Sequence, residues 1–346
     1  MGVDMQLSDR IGRRMKLHDL HVLLAVVQAG SMSKAARLLN TTQPAISRSI
    51  ADLENTVGVR LLDRSRHGVE PTQCGRALLD GGTAMFDDLR QAVRRIEFLA
   101  DPTVGEVRVT APDPIVVGLL PAILDRLHQK CPGISTHVTP IVTGAQQYSD
   151  LRERKLDLYL GRITQPIEEG IDLEILFQDR FAVVSGSQRK WAREQRIELS
   201  DLADESWILP RLDSTIGPVL ADAFRARGVK FPPKGVVWGG ASLICASLPR
   251  RPCLGTLPAS LLRFGANVPR LKILPVDLPA PPWPVGIMTL KNRTLTPAAD
   301  LFIDCAREVV KPPAWKSRKS LAGRNVISAT ARSGITASEK FTRSRE

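Results

Sequence analysis

The sequence predicts an α/β chain with an α-rich N-terminal unit, and three observations predict it. Residues 17–57 carry apolar positions at helical spacing, cut by caps and breakers into three helices. Residues 78–99 carry an apolar heptad. From Asp101 to Val310, short β-branched runs alternate with amphipathic stretches, the pattern of sheets covered by helices.

In chain order, Leu20, Leu23, Leu24 and Val27 give a first helix from Leu17 to Gln28, ended by Gly30. Ser33 is read as the N-cap of a second, with Ala35, Ala36 and Leu39 on its inner stripe and an end near Asn40. Thr42 caps a third helix, whose first turn tolerates Pro44 because proline removes only an orphaned donor there. Ile46, Ile50, Leu53 and Val57 lie on one buried face, which leaves Gln43, Pro44, Ser47, Arg48 and Ser49 outward. That outer face is short-chained and almost free of acid. A helix N-terminus attracts phosphate, Gln pairs with adenine, Arg with guanine or phosphate, and Pro touches a thymine methyl. These are the parts of a DNA recognition helix, and a plain helical hairpin with a polar face is the alternative. Gly58 to Leu62, a turn, and the segment to Pro71 then read as a two-stranded wing.

The run AGSMSKAARLLNTTQPAISRSIADLENTVGVRLLDRS, followed by PTQCG, resembles the winged helix-turn-helix of LysR-type transcriptional regulators across residues 17–75. The resemblance implies DNA contacts at Ser33, Thr42, Gln43, Pro44, Ser47 and Arg48, with Arg64 of the wing on the phosphate backbone and Arg66 beside it. Ser31 to Lys34 also satisfies an S-x-x-K pattern, but on a helix-packing segment, so it carries no catalysis.

Thr72 caps a long helix to near Leu99, about 42 Å at 1.5 Å per residue. Leu78, Gly82, Met85, Leu89, Ala92, Ile96 and Leu99 step by four and three, a coiled-coil seam, and Leu78, Met85, Leu89 and Ile96 are its dimerisation residues. Adjacent Gly81 and Gly82 predict a bend or the close approach of a partner. The resemblance implies a linker helix pairing two subunits antiparallel, so that a homodimer or homotetramer places two winged units on a split operator in double-stranded DNA.

Beyond Asp101-Pro102, strands are expected at 106–110, 135–142, 156–160, 181–185, 206–209, 234–237, 253–256 and 271–276. Helices are expected at 115–131, 146–154, 215–226, 241–248, 258–264 and 296–310. This order resembles the family's two-lobed effector-binding domain, of type 2 periplasmic-binding-protein architecture, with lobe one near 104–162 plus 269–310. The organisation is therefore a flexible extension (1–14), the winged unit (15–72), the linker helix (73–101), the effector domain (102–310) and a basic disordered tail (311–346). By position in the family pattern, the effector-binding candidates are Thr110, Ala111, Thr143, Gly144, Gly161, Arg162, Ser214 and Thr215. Arg162 would favour a carboxylate or phosphate, or else be a hinge arginine bonded to backbone. Asp113 would repel an anion and bond a hydroxyl instead. The run LRERKLDLYLGR looks like the branch regulating sugar-uptake and aromatic-acid operons, so a sugar or a carboxylate is the expected effector.

The formal net charge of +12 suggests a polyanionic partner, yet roughly +7 of it lies in the last 36 residues and roughly +3 before Arg76. Five cysteines without C-x-x-C or zinc spacing predict reduced, mostly buried thiols in the cytoplasm. His18 and His21 stand at i, i+3 without a third ligand near in sequence, so no metal and no cofactor is expected. Apolar runs such as Val22 to Val27 are too short to span a bilayer, so no membrane partner is expected. Ser185-Gly186-Ser187 lacks a G-x-S-x-G frame, so no catalytic residue is assigned. The reading is an effector-controlled, operator-specific regulator, with contact to RNA polymerase as the expected output. A ligand-binding or enzymatic two-lobed protein without operator specificity is the competing class.

Overall fold

The computed structural model describes residues 14–65, 68–140, 144–163, 166–187, 190–231, 236–265 and 270–311. Arg66, Thr143, the extension before Arg14 and the tail beyond Lys311 lie outside them.

Helix α1 (Leu17–Ala29) ends where Gly30 turns left-handed at φ 65°. Helix α2 (Met32–Leu38) has Ser31 at its N-cap position, with no side-chain capping bond, so Ser33 lies in its first turn rather than before it. Helix α3 (Gln43–Val57) starts as expected: Ala45 N–H donates to Thr42 Oγ1 at 3.4 Å, and Gly58 at φ 83° stops it. Leu20, Leu23, Val26, Ala35, Ile46, Ile50 and Leu53 close one core. Each large member contributes about 1.5–3 kcal/mol by leaving water.

Strands β1 (Leu62–Ser65) and β2 (Gly68–Pro71) form the antiparallel wing, with Leu62 opposite Pro71 and Arg64 opposite Val69. The wing begins at Leu62 rather than Gly58 because Glu54 Oε1 draws the Leu61 and Leu62 amides back onto α3, at 2.8 and 3.2 Å. Helix α4 (Gln73–Ala100) follows, capped by Thr72, whose Oγ1 accepts from Gly75 N–H at 3.0 Å and donates to Arg60 O at 2.9 Å. Gly75 has to be glycine there, since a Cβ would fall 2.1 Å from the Leu61 carbonyl oxygen.

Strand β3 (Val104–Ala111) opens the second half, followed by α5 (Asp113–Val117) and α6 (Leu119–Lys130). One continuous helix was expected here. The chain breaks at Gly118, where a Cβ would lie 2.8 Å from Leu261 Cα. Next come β4 (Gly133–Pro140), α7 (Gly144–Arg152), β5 (Leu158–Arg162), β6 (Ile171–Asp179), β7 (Phe181–Gly186) and β8 (Ser206–Leu209). The chain continues through α8 (Gly217–Ala226), β9 (Val236–Trp238), α9 (Ala241–Ser247), β10 (Cys253–Pro258), α10 (Ala259–Phe264), β11 (Leu271–Ile273), β12 (Trp283–Leu290) and α11 (Pro297–Val310).

Among the described residues this gives two five-stranded sheets, ordered β4, β3, β5, β12, β6 and β11, β7, β10, β8, β9. Lobe one is built on the first, around Val107, Val109, Ile123, Leu158, Leu160 and Phe302. Lobe two is built on the second, around Trp207, Phe224 and Leu254 on one face and Val184, Ile208 and Ile244 on the other. The expected lobe boundary is corrected by β6, which stays in lobe one, and by β11, which belongs to lobe two. The chain therefore crosses between Asp179 and Phe181, and back between Ile273 and Trp283. Strand β12, not expected from the sequence, pairs antiparallel with both β5 and β6 and carries a bulge between Val285 and Gly286.

Candidate DNA-reading face and interlobe cleft

The exposed N-terminal face of α3 presents Thr42, Gln43, Pro44 and Arg48, with Ser47 half-buried beside them. Ser33 Oγ donates to Gln43 Oε1 at 3.1 Å, which fixes the amide against α2 and leaves its donor end outward. Ser49, expected on this face, is instead buried: its hydroxyl donates to Asp19 Oδ1 at 2.5 Å and ties α3 to α1. Its register explains this, since Ser49 adjoins Ile50 and Ile46 on the inner side. Lys34 and Arg37, exposed on α2, add positive charge that sequence reading had not singled out. On the wing Arg64 is exposed. Val69 N–H donates to Gly30 O at 3.1 Å, which seats the wing on the end of α1.

Helix α4 divides its faces unequally. Leu78 packs on the core of the winged unit, and Gly82 lies against Leu20, where a Cβ would approach 3.0 Å. The close approach at Gly82 is thus to the chain's own α1. Further along, Met85, Leu89, Val93, Ile96 and Leu99 remain exposed, Leu99 at 74%. The apolar line left open to a partner starts at Met85, so Leu78 is placed apart from it.

On the opposite face of α4, Asp87 is buried in an ion-pair joint with lobe one. Arg293 Nε and Nη2 donate to its carboxylate at 2.7 and 3.2 Å, and Arg154 Nη1 does so at 2.9 Å. Arg293 Nη2 also reaches Asp157 Oδ1 at 3.1 Å, and Nη1 donates to Leu156 O at 2.6 Å. Burial pushes the Asp87 carboxyl up, but the bonds and charges of Arg293 and Arg154 outweigh it and hold it below the usual carboxylate value. Three distant segments meet here, which is why no sequence motif marks the joint.

In the cleft region the sequence candidates separate. Thr110 is buried, and its hydroxyl donates to Thr139 O at 2.7 Å. Ala111 turns its methyl into the lobe-one core. Strand β3 runs through to Ala111 and buries both side chains, so neither Thr110 nor Ala111 presents an exposed side chain at the strand end. Gly144 begins α7. Gly161 packs tightly, a Cβ there lying 2.4 Å from the Tyr159 hydroxyl and 2.8 Å from Pro112 Cδ. Ser214 is spent on its own turn, donating to Arg211 O at 2.6 Å and accepting from Gly217 N–H at 3.1 Å, and Thr215 is exposed.

Asp113 spans the lobes. From the start of α5 its Oδ2 accepts from Ser242 N–H at 2.9 Å and from Ser242 Oγ at 3.1 Å, on α9 of lobe two. Both bonds go to the chain's own serine. Cys245, one turn further along α9, is pushed to about 11 by burial and by the Asp113 charge, so its thiol is a weak nucleophile at neutral pH.

Arg162 lies at the base of the crossings. Its guanidinium carbon sits 4.2 Å from the Phe181 ring centroid and 5.4 Å from that of Trp283. Asp179 Oδ2 is 3.7 Å from Nη2.

Residues 17–76 match the bacterial regulatory helix-turn-helix protein, lysR family, and residues 100–311 match the LysR substrate binding domain. The HTH-type transcriptional regulator YdcI of Escherichia coli is 25% identical over 307 residues, 88% of this chain and 99% of that protein. PcaQ of Agrobacterium fabrum, also an HTH-type transcriptional regulator, is 26% identical over 306 residues, 86% of this chain and 96% of its own length. A solved full-length OxyR variant from Pseudomonas aeruginosa superposes with a TM-score of 0.54 at 21% identity, covering 85% of this chain and 98% of that one, a likeness of fold.

Proposed function

This chain belongs to the LysR family of bacterial regulatory proteins, a DNA-binding transcriptional regulator with an effector-binding domain, and on that premise we propose how it reads DNA and how the reading is controlled. Helix α3 enters the major groove with Gln43, Pro44, Ser47 and Arg48 toward the bases. Thr42 and Ser33 at its N-terminal edge, with Arg64 on the wing, hold phosphates, and Arg66, outside the described residues, is proposed to join them. The observation that carries this reading is the exposed, acid-free N-terminal face of α3, held rigid by the Thr42 cap and the Ser49 to Asp19 bond.

Two copies pair through Met85, Leu89 and Ile96 of α4, extended by Val93 and Leu99, and so present two winged units to one split operator. A small molecule entering between the lobes, beside Gly144, Gly161, Arg162 and Thr215, selects one lobe closure, and the Asp113 to Ser242 bond belongs to the closed one. That choice resets the spacing of the winged units, and with it DNA bending and contact with RNA polymerase. Working on operator DNA places the protein in the cytoplasm, as a regulator and not a catalyst.

The test is a footprint of the full chain on DNA upstream of its neighbouring, divergently read gene, followed by titration of variants on the protected fragment. Arg48→Ala and Gln43→Ala are each expected to weaken specific binding by about 1–3 kcal/mol while melting like the wild type. Unchanged affinity in both variants rules out α3 as the reading helix.

A further inference from the structure

We propose that Arg293 and Arg154 form a strained clamp on Asp87 that fixes the angle of α4 against lobe one and so sets the half-site spacing the protein accepts. This deepens the regulator reading above and rests on it, since lobe closure can reset the spacing of the winged units only if a joint carries it to α4.

The clamp is oriented as well as buried. Arg293 uses Nε and Nη2 on the two Asp87 oxygens, Nη2 again on Asp157 and Nη1 on Leu156 O, which leaves its guanidinium a single orientation. Asp157 is held in turn by the Arg108 N–H and by Arg108 Nη2, both at 2.9 Å, and this anchors the far side in β3. Rotating α4 on lobe one therefore breaks several charged bonds together.

The backbone that delivers both arginines is strained. Arg154 is at φ 57° and Asn292, directly before Arg293, is at φ 59°, two of the three non-glycine residues with left-handed backbone among the described residues. Arg154 follows α7 at the place where helices commonly end on glycine, its N–H donating to Leu151 O at 3.0 Å. Glycine would adopt that turn freely, but only a long cationic side chain reaches Asp87 and Asp88, at 2.9 and 3.4 Å. Strain kept at two turns that serve one contact marks that contact as held for its geometry. One turn beyond Asp87 on α4, Gln91 is 3% exposed and its Oε1 has no hydrogen-bond partner among the described residues. An unmet buried acceptor raises the free energy of this seat of the helix and narrows the gap to any other seat that satisfies it.

Strand β12 connects the clamp to the hinge. It begins at Trp283, beside the second crossing, and ends at Leu290, just before the turn that carries Arg293, a run of about 26 Å at 3.3 Å per residue. It pairs with β6 along its whole length and with β5 over residues 285–288, so it moves as part of the sheet. Lobe one turns α4 as one body while the clamp holds, and α4 tilts freely without it.

The experiment measures the affinity of the full chain for its protected fragment and for the same fragment lengthened between the half-sites by about half a helical turn, roughly 5 bp. A duplex carrying one half-site is the reference. Wild type is expected to prefer the natural spacing by about tenfold or more. Arg293→Met should narrow that preference to about threefold or less, while its affinity for the single half-site stays within about twofold of wild type. Asp87→Met with Arg293→Met should recover much of the stability and yet keep the narrowed preference, an outcome that lost stability alone does not produce. Arg293→Lys keeps a charge but reaches fewer of the acceptors, and should fall between. A full spacing preference in the double variant, or equal losses on all three DNAs in Arg293→Met, overturns the proposal. Thermal melts identify an unfolded variant, and the double variant carries the comparison if Arg293→Met does not fold. Wild-type protein that protects its fragment with no preference for spacing refutes this inference alone, whereas failure to protect any DNA refutes the regulator mechanism.

Discussion

Replacing Arg293 with methionine is expected to lower the unfolding free energy by about 3–5 kcal/mol, the loss typical of breaking a buried ion pair from one side. Arg293 is 0% exposed at its side chain, and Asp87 and Asp157 are 1% and 2% exposed. Methionine fills most of the space but offers no donor, so one carboxylate on α4 would be left to Arg154 and the largely exposed Arg90, and one beside β5 to Arg108. The double variant Asp87→Met with Arg293→Met removes the charge on both sides and should recover a large part of the loss, since well-packed apolar groups replace buried pairs at little net cost. Urea unfolding with linear extrapolation measures both. A loss under about 1 kcal/mol in the single variant would show that the joint is solvated and contributes little.

The same joint has a signed pH dependence. Asp87 is held below its ordinary value of 3.8, with burial opposing and the arginine bonds and charges prevailing. A carboxyl depressed on folding gives stability that is whole above its unfolded value and is lost as pH falls through the folded one. The gap between wild type and Arg293→Met should therefore be flat from neutrality to about pH 5 and should narrow below about pH 4. Its position matters to function as well as to stability. Arg293 follows the C-terminal end of β12, whose first residue, Trp283, lies against Arg162 at the hinge. One strand thus runs from the interlobe hinge to the clamp that sets how α4 bears on lobe one.

How much of this was legible in the sequence depends on how local the determinant was. The cap at Thr42, the stop at Gly58 and the buried stripe Ile46, Ile50 and Leu53 are consequences of neighbours within a few turns, and α3 formed where they placed it. Ser49 was misplaced because its partner, Asp19, lies thirty residues away on another helix. Strand β12 was invisible for a related reason. Pro284 and Gly286 read as loop residues, yet Pro284 sits where its carbonyl, accepting from Ile163 N–H at 2.9 Å, matters more than its missing donor. Gly286 is required at the bulge, where a Cβ would lie 2.3 Å from Glu174 O. Strand β6 did alternate, but its charges suited an edge, and an edge strand buries only part of its pattern. In the cleft, position within a family pattern named Thr110 and Ala111, and only the packing of helices on both faces of β3 reveals that both side chains are buried. Arg162 was named for its charge, while its seat between two rings depends on Phe181 and Trp283 from two different chain crossings.

Leu89→Glu is expected to abolish both self-association and tight operator binding in a single step. Leu89 is 50% exposed in the middle of an apolar line in which Ile96 and Leu99 reach 66% and 74%, too much contiguous hydrocarbon for a helix face to leave in water. Burying each such side chain against a partner is worth about 1.5–3 kcal/mol, and in an antiparallel pair one substitution acts twice, also forcing two carboxylates into the seam. The combined loss of about 4–6 kcal/mol raises the dimer dissociation constant by about three to four orders of magnitude. Sedimentation velocity should then find a monomer, and titration on the protected fragment should show the weak, salt-sensitive binding of one winged unit. Asp88→Ala, one residue away and off the line, serves as the control and should leave both measurements unchanged. An unaltered oligomer in Leu89→Glu would move the dimer contact off α4. A monomer that still bound its operator at full affinity would instead separate dimerisation from reading, and one copy of the α3 face would then suffice for recognition.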